Sequence, residues 1–94
     1  MNTIQVTDLQ SLPKISGIYK VTDANGNVLY VGQAKDIHRR WNQGHHKICK
    51  ILEICGANAY ISCVQIPEWL LNRAENAAIS FYQPILNLKN PPVL

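Results

Sequence analysis

Apolar positions in this chain change period more than once, and the changes mark its elements. Ile4 and Val6 alternate with polar neighbours before a turn-like stretch, Asp8 to Pro13, which predicts a small edge strand or a loosely held arm. Two apolar-aromatic runs follow, Gly17-Ile18-Tyr19 and Tyr30-Val31-Gly32, separated by a stretch that includes Asp23-Ala24-Asn25-Gly26-Asn27. Asn-Gly between two such runs predicts a β-hairpin. With Asn25-Gly26 as a two-residue loop, Ala24 opposes Asn27, and counting outwards sets Val21 opposite Tyr30 with Tyr19 one pleat period further on. Tyr19 and Tyr30 then share a face as diagonal neighbours, and only an odd slip of register separates them. Gly32 reads as the end of the second strand, either a turn glycine or a place where a side chain would crowd another backbone or a ligand.

From Ala34 the period becomes helical, with Asp36 at the end of the helix that suits a negative charge. Ile37 and Trp41 fall on one buried face, and Arg40 lies at the border of core and solvent. Gly44 stops or kinks this helix, and a second short one carries Ile48, Ile51, Leu52 and Cys55 inward before Gly56 closes it. Ala59 to Ile66, rich in β-branched and aromatic residues, predicts a third strand. Pro67 opens the last helix, Glu68 to about Tyr82, which Pro84 terminates. Its apolar stripe runs through Leu71, Ala74, Ala78 and Phe81 or Tyr82. The expected fold is α/β in the α+β sense, a three-stranded antiparallel sheet flanked by helices.

Glu75 is the residue that this pattern makes conspicuous, since it sits on or beside the stripe that should be buried. A carboxylate there must be paired, protonated or bound to a metal. A structural ion pair is one outcome, and Arg40 could reach it through the fold.

Ninety-four residues make one compact domain, residues 1–94, with 1–12 and 88–94 peripheral to a core over 17–87. The net charge of +3 is modest, yet Lys35, Arg39, Arg40, Lys47 and Lys50 crowd one segment with Asp36 as its single acid, and all 3 histidines (His38, His45, His46) lie there too. Such clustering suits a polyanion partner, although a plain solvated face looks the same. Cys49, Cys55 and Cys63 are odd in number and lack a C-x-x-C pair, which points to a reducing cytoplasm. Neither a secretion signal nor a membrane-spanning run is present in the sequence, so no membrane partner is expected.

Taken together, GIY, ten residues, YVG and a basic helix ending in Arg39-Arg40-Trp41 resemble the GIY-YIG nuclease domain, found in excision-repair nucleases, phage homing endonucleases and some restriction enzymes. The later residues Glu75, Ile79, Tyr82, Pro84, Ile85, Leu86 and Asn87 are similar to the family's second half. The resemblance implies a divalent-metal-dependent DNA endonuclease, a hydrolase of phosphodiester bonds in DNA repair or a mobile element. In that reading Glu75 alone holds Mg2+, with Mn2+ as a substitute. Tyr19 is the general base with Tyr30 assisting, Arg40 stabilises the phosphate, and Asn87 supports the site. Lys35, Arg39, His45 and Lys47 contact the nucleic acid, and Gly17 and Gly32 are structural.

Each of these residues also has an ordinary role open to it. The tyrosines make a cross-strand aromatic pair, Arg40 covers Trp41 with its stem, and Asn87 is a turn residue. The chain departs from the family at Gln33, where the excision-repair branch carries a lysine, and at Gly44, where the homing branch has a histidine that His45 or His46 would have to replace. Specificity is expected from the domain itself, from self-association or from a partner chain, or else is expected to be low. Two other readings stay open: a non-catalytic nucleic-acid-binding module using the basic helix 35–50, and a zinc-stabilised domain built on His45, His46 and Cys49 with Cys55 or Cys63.

Overall fold

Four strands, β1 (Asn2–Gln5), β2 (Gly17–Thr22), β3 (Val28–Ala34) and β4 (Tyr60–Gln65), form one antiparallel sheet in the order β1-β4-β2-β3. The structure is a computed structural model and describes residues 2–43, 53 and 58–84. The sheet has one strand more than the pattern predicts. β1 pairs with β4, with Ile4 opposite Ile61 and Thr3 opposite Ser62, whose hydroxyls lie 3.2 Å apart. Two alternating apolar residues are too short a signal to separate a strand from an arm; the unpaired backbone of β4 decides the matter by accepting a partner.

The hairpin reaches its register by an unexpected route. Asp23 and Asn27 close a loop of three residues, the Asp23 N–H donating to the Asn27 carbonyl at 3.0 Å, and Gly26 takes a φ of 85°. The Asp23 carboxylate braces the loop, Oδ1 accepting from the Asn25 and Asn27 N–H groups at 2.9 Å each. Thr22 then opposes Val28 while Val21 opposes Tyr30, so Leu29 is an extra residue on β3, a β-bulge. The loop alone would put Tyr30 opposite Lys20 and on the wrong face; the bulge returns it to the face of Tyr19. Gly32 does not end the strand, which runs on through Ala34, and it stands directly opposite Tyr19.

One face of the sheet carries Tyr19, Val21, Tyr30, Ala34, Ile61 and Cys63 and packs on helix α1 (Ile37–Asn42). Ile37 is fully buried and Trp41 is 1% exposed, as their four-residue spacing requires. Asp36 caps α1, its Oδ1 accepting from the Arg39 N–H at 3.1 Å. Asn42 Nδ2 ties the helix to the 3-10 turn Leu9–Ser11 through the Leu9 carbonyl at 2.9 Å.

The other face carries Ile18, Lys20, Val31 and Val64 and meets helix α2 (Leu71–Tyr82), entered through a 3-10 turn at Glu68–Leu70. Gln83, in the left-handed region at φ 48°, ends α2 before the buried Pro84. The expected stripe is buried only in part. Leu71 is buried, Ala74 and Ala78 are half-buried, and Phe81 is 79% exposed. An open apolar groove of about 230 Å³ separates this part of α2 from the sheet, and Lys20 Nζ sits 4.9 Å from the centre of the Tyr82 ring beside it. The second short helix expected over Ile48 to Cys55 lies, apart from Glu53, outside the described residues.

Candidate active site

β3 is an edge strand, and at this edge the two helix-covered faces come together. Tyr19 enters from β2 with its ring edge-on to Trp41, centroids 5.2 Å apart at 74°, and tilted against Tyr30 at 6.2 Å. A β-carbon on Gly32 would stand 2.5 Å from Tyr19 Cζ, so the missing side chain is the space the phenol occupies. Gly17 allows a different approach, since a β-carbon there would run into the Val64 carbonyl of β4.

Arg40 is exposed, further out than the border position its helical phase suggests, yet its guanidinium is near enough to Tyr19 to favour the phenolate. Burial pushes the Tyr19 hydroxyl well above the ordinary tyrosine value, helped by neighbouring Tyr30 and Glu75 and opposed by the Arg40 hydrogen bond and charge. Tyr30 is raised as well, by burial first and then by Glu75, while Arg40 and a hydrogen bond with Tyr19 pull it down. Two phenols, one guanidinium and one carboxylate therefore act on one another within a single site.

Glu75 reaches this site from α2. It is half-buried and, contrary to the ion-pair alternative, makes no salt bridge to Arg40; the ion pair formed among the described residues joins Lys35 to Glu68. Gln33 Nε2 donates to Glu75 Oε1 at 3.4 Å and to Asn72 Oδ1 at 2.6 Å. Periodicity ranks Glu75 but is silent on this amide pair. Asn72 lies one helical turn before Glu75, which is the only hint the sequence offers.

No group of three or more His, Cys, Asp or Glu gathers among the described residues. A lone, half-exposed carboxylate beside a neutral amide fits a hard cation that keeps most of its waters, as Mg2+ does. It does not fit zinc, and Cys63 is buried on β4, paired with Tyr19 of β2. His45, His46, Cys49 and Cys55 lie outside the described residues, as do Lys47 and Asn87. Lys35, Arg39 and Arg40 line a shallow groove of about 400 Å³ with Gln33, Asp36 and Gln43. Lys35 Nζ stands 3.8 Å from Glu68 Oε1, and Arg39 Nε donates to Gln43 Oε1 at 3.3 Å.

Fold and sequence together define a class. Residues 15–55 match the family model of the GIY-YIG catalytic domain, and the chain belongs to the GIY-YIG family of nuclease domains. It is 30% identical over 84 residues to the UvrABC system protein C of Psychrobacter sp. (strain PRwf-1), a match covering 89% of this chain and 13% of that protein. The chain thus spans about 13% of the length of this curated relative. Among solved structures, a point mutant of the GIY-YIG N-terminal endonuclease domain of UvrC from Thermotoga maritima, bound to its catalytic divalent cation, superposes with a TM-score of 0.71 at 20% identity over 88% of this chain and 93% of that one. The magnesium-bound form of that domain gives 0.70 at 20% identity, over 87% and 93%. These likenesses establish the fold, including its helices around an antiparallel sheet. Among the described residues no helix is long and apolar enough to cross a membrane.

Proposed function

We propose that this chain is a divalent-metal-dependent endonuclease that hydrolyses DNA phosphodiester bonds, using Mg2+ or, in its place, Mn2+. The observation that carries the reading is the convergence of Tyr19, Tyr30, Arg40 and Glu75 on one sheet edge beside a basic groove. Glu75 is the residue that would hold the cation, and the chemistry the cation supplies when bound is polarisation of the phosphate and stabilisation of the leaving oxygen.

The remaining work falls to the chain's own side chains. Tyr19 Oη accepts a proton from the attacking water as the water oxygen bonds to phosphorus and the bond from phosphorus to the departing sugar oxygen breaks; that oxygen takes its proton from solvent. Buried as it is, the Tyr19 phenol is a reluctant acid, so its deprotonated form needs the positive charge of Arg40 and of the groove. Arg40 is also placed to neutralise charge that develops on the non-bridging oxygens. Tyr30 holds the Tyr19 hydroxyl through their hydrogen bond. Lys35, Arg39, His45 and Lys47 take the DNA backbone, and Asn87 steadies the site. On this reading the protein works in the cytoplasm, in DNA repair or a mobile element, with specificity supplied by a partner chain or by self-association.

The test is cleavage of supercoiled, linear, branched and single-stranded DNA with Mg2+ or Mn2+ by wild type, Glu75→Gln and Tyr19→Phe. Metal-dependent cleavage that disappears in both variants is the expected result. Wild type that binds DNA but cuts nothing, with Glu75→Gln binding equally well, would replace the nuclease with a nucleic-acid-binding module.

A further inference from the structure

We infer that Gln33 is a positioning residue for the Glu75 carboxylate, backed by Asn72, and that this pair sets the chain's affinity for its divalent cation. The inference rests on the proposed function and adds to it two residues outside the set assigned to the reaction.

Its basis is the geometry at the β3 edge. One nitrogen, Gln33 Nε2, serves both acceptors, its two protons going to Asn72 Oδ1 at 2.6 Å and Glu75 Oε1 at 3.4 Å. Asn72 and Glu75 share a face of α2, so the amide is held from the same helix that carries the carboxylate. The shorter bond fixes the amide; the longer one aims the carboxylate. Nothing else among the described residues restrains Glu75 by hydrogen bond or ion pair, and a half-exposed glutamate left to itself samples several rotamers. A neutral amide confers order without neutralising the charge that a cation needs. Groups hydrogen-bonded to a metal-binding carboxylate typically alter affinity by about 10- to 100-fold when removed.

The test is calorimetric titration of Mn2+ alone into the full chain, without DNA, for wild type, Gln33→Met, Gln33→Lys, Gln33→Glu, Asn72→Ala and Glu75→Gln. Gln33→Met, close in shape but without the donor, should weaken Mn2+ binding about tenfold. Gln33→Lys should weaken it further, because an ammonium beside Glu75 competes with the cation. Gln33→Glu should tighten it by adding a second carboxylate. Asn72→Ala, which frees the amide but keeps it, should have a smaller effect in the same direction as Gln33→Met. Cleavage by Gln33→Met should recover towards wild type as Mn2+ is raised to saturation, which a merely structural role would not produce.

If Gln33→Met and Asn72→Ala titrate like wild type while Glu75→Gln no longer binds Mn2+, the positioning role is wrong and the assignment of Glu75 stands. Should Glu75→Gln itself bind Mn2+ like wild type, the underlying reading fails and takes the inference with it. Asn72 is exposed and Gln33 and Glu75 are half-buried, and thermal melts check that each variant is folded.

Discussion

The two sides of the β3 edge hold their functional groups by opposite means. Towards α1, Tyr19 is 1% exposed, wedged between Trp41 and the backbone of Gly32, so its position is a property of the core. Towards α2, Glu75 is half-buried and, among the described residues, restrained by a 3.4 Å hydrogen bond from Gln33, so its position owes more to the surface than to the core. Core packing cannot readily adjust without unfolding, whereas a surface carboxylate can turn. The phenols are therefore preorganised, and the carboxylate can meet a cation whose hydration it must accommodate. Changes on the α1 side should reduce stability and activity together; changes on the α2 side should separate them.

The largest effects put that contrast to the test. Glu75→Gln should reduce metal-dependent cleavage on the order of a thousandfold, near the upper end for one electrostatic group, while stability stays within about 0.5 kcal/mol. Trp41→Ala should destabilise by about 3–5 kcal/mol, since it empties a fully packed site behind Tyr19. Urea unfolding read beside cleavage separates the two. A Glu75→Gln variant as unstable as Trp41→Ala would show that the carboxylate belongs to the core after all.

Gly32→Ala comes next in size. The added carbon meets the Tyr19 ring, and Trp41 stands against that ring, leaving little room to retreat. We expect a loss of about 1–3 kcal/mol together with a clear fall in cleavage. Full activity with full stability in this variant would mean that Tyr19 is freer than its packing indicates.

Much of this architecture was legible in the residues, though by uneven routes. Local signals served well where one interaction dominates: Asp36 at the helix N-terminus, where the structure makes it the cap, Ile37 and Trp41 as the buried pair, and Val21 opposite Tyr30. The last of these held for a reason that pattern reading does not contain, because a three-residue loop and the Leu29 bulge make two odd displacements that cancel. β1 was ambiguous because pairing, not periodicity, decides whether so short a segment becomes a strand. Glu75 stood out as a carboxylate near an apolar stripe, yet α2 proved only lightly buried, since its apolar side faces a groove. Gln33 and Asn72 escaped notice as a pair because their contact joins elements far apart in sequence, and a polar helix surface offers many equivalent candidates.

Cys63 offers a smaller, pH-dependent probe of the α1 side. It lies on β4 opposite Tyr19, and burial pushes its thiol from 9.0 up to about 11. The folded state therefore holds the proton more tightly than the unfolded chain does. Its contribution is complete below about pH 9 and disappears as the pH rises towards 11, a change of about 2 kcal/mol. Tyr19 and Tyr30, also raised above 10.0, extend the loss in the same direction at higher pH. Chemical denaturation at stepped pH should show stability falling from about pH 9 in wild type and only from about pH 10 in Cys63→Ala. Identical curves for the two would mean that the thiol is solvated in the folded state.

The smallest expected effect separates a phosphate-binding groove from an ordinary charged surface. Lys35 and Glu68 are 3.8 Å apart with side chains 81% and 62% exposed, so solvent screens the pair and holding two long side chains together offsets much of its attraction. Lys35→Ala should leave the melting temperature essentially unchanged. If the groove takes DNA backbone, however, each lost contact removes one released counterion, and the slope of log affinity against log salt should become shallower by about 0.9 for duplex DNA. Binding titrations at several salt concentrations read this slope directly. Glu68→Ala supplies the opposing arm, because it frees the ammonium without removing it, and should leave the slope unchanged while strengthening binding slightly at low salt. A wild-type slope in Lys35→Ala would take Lys35 out of the interface and leave the electrostatic contact to Arg39 and the remaining cations of the basic segment.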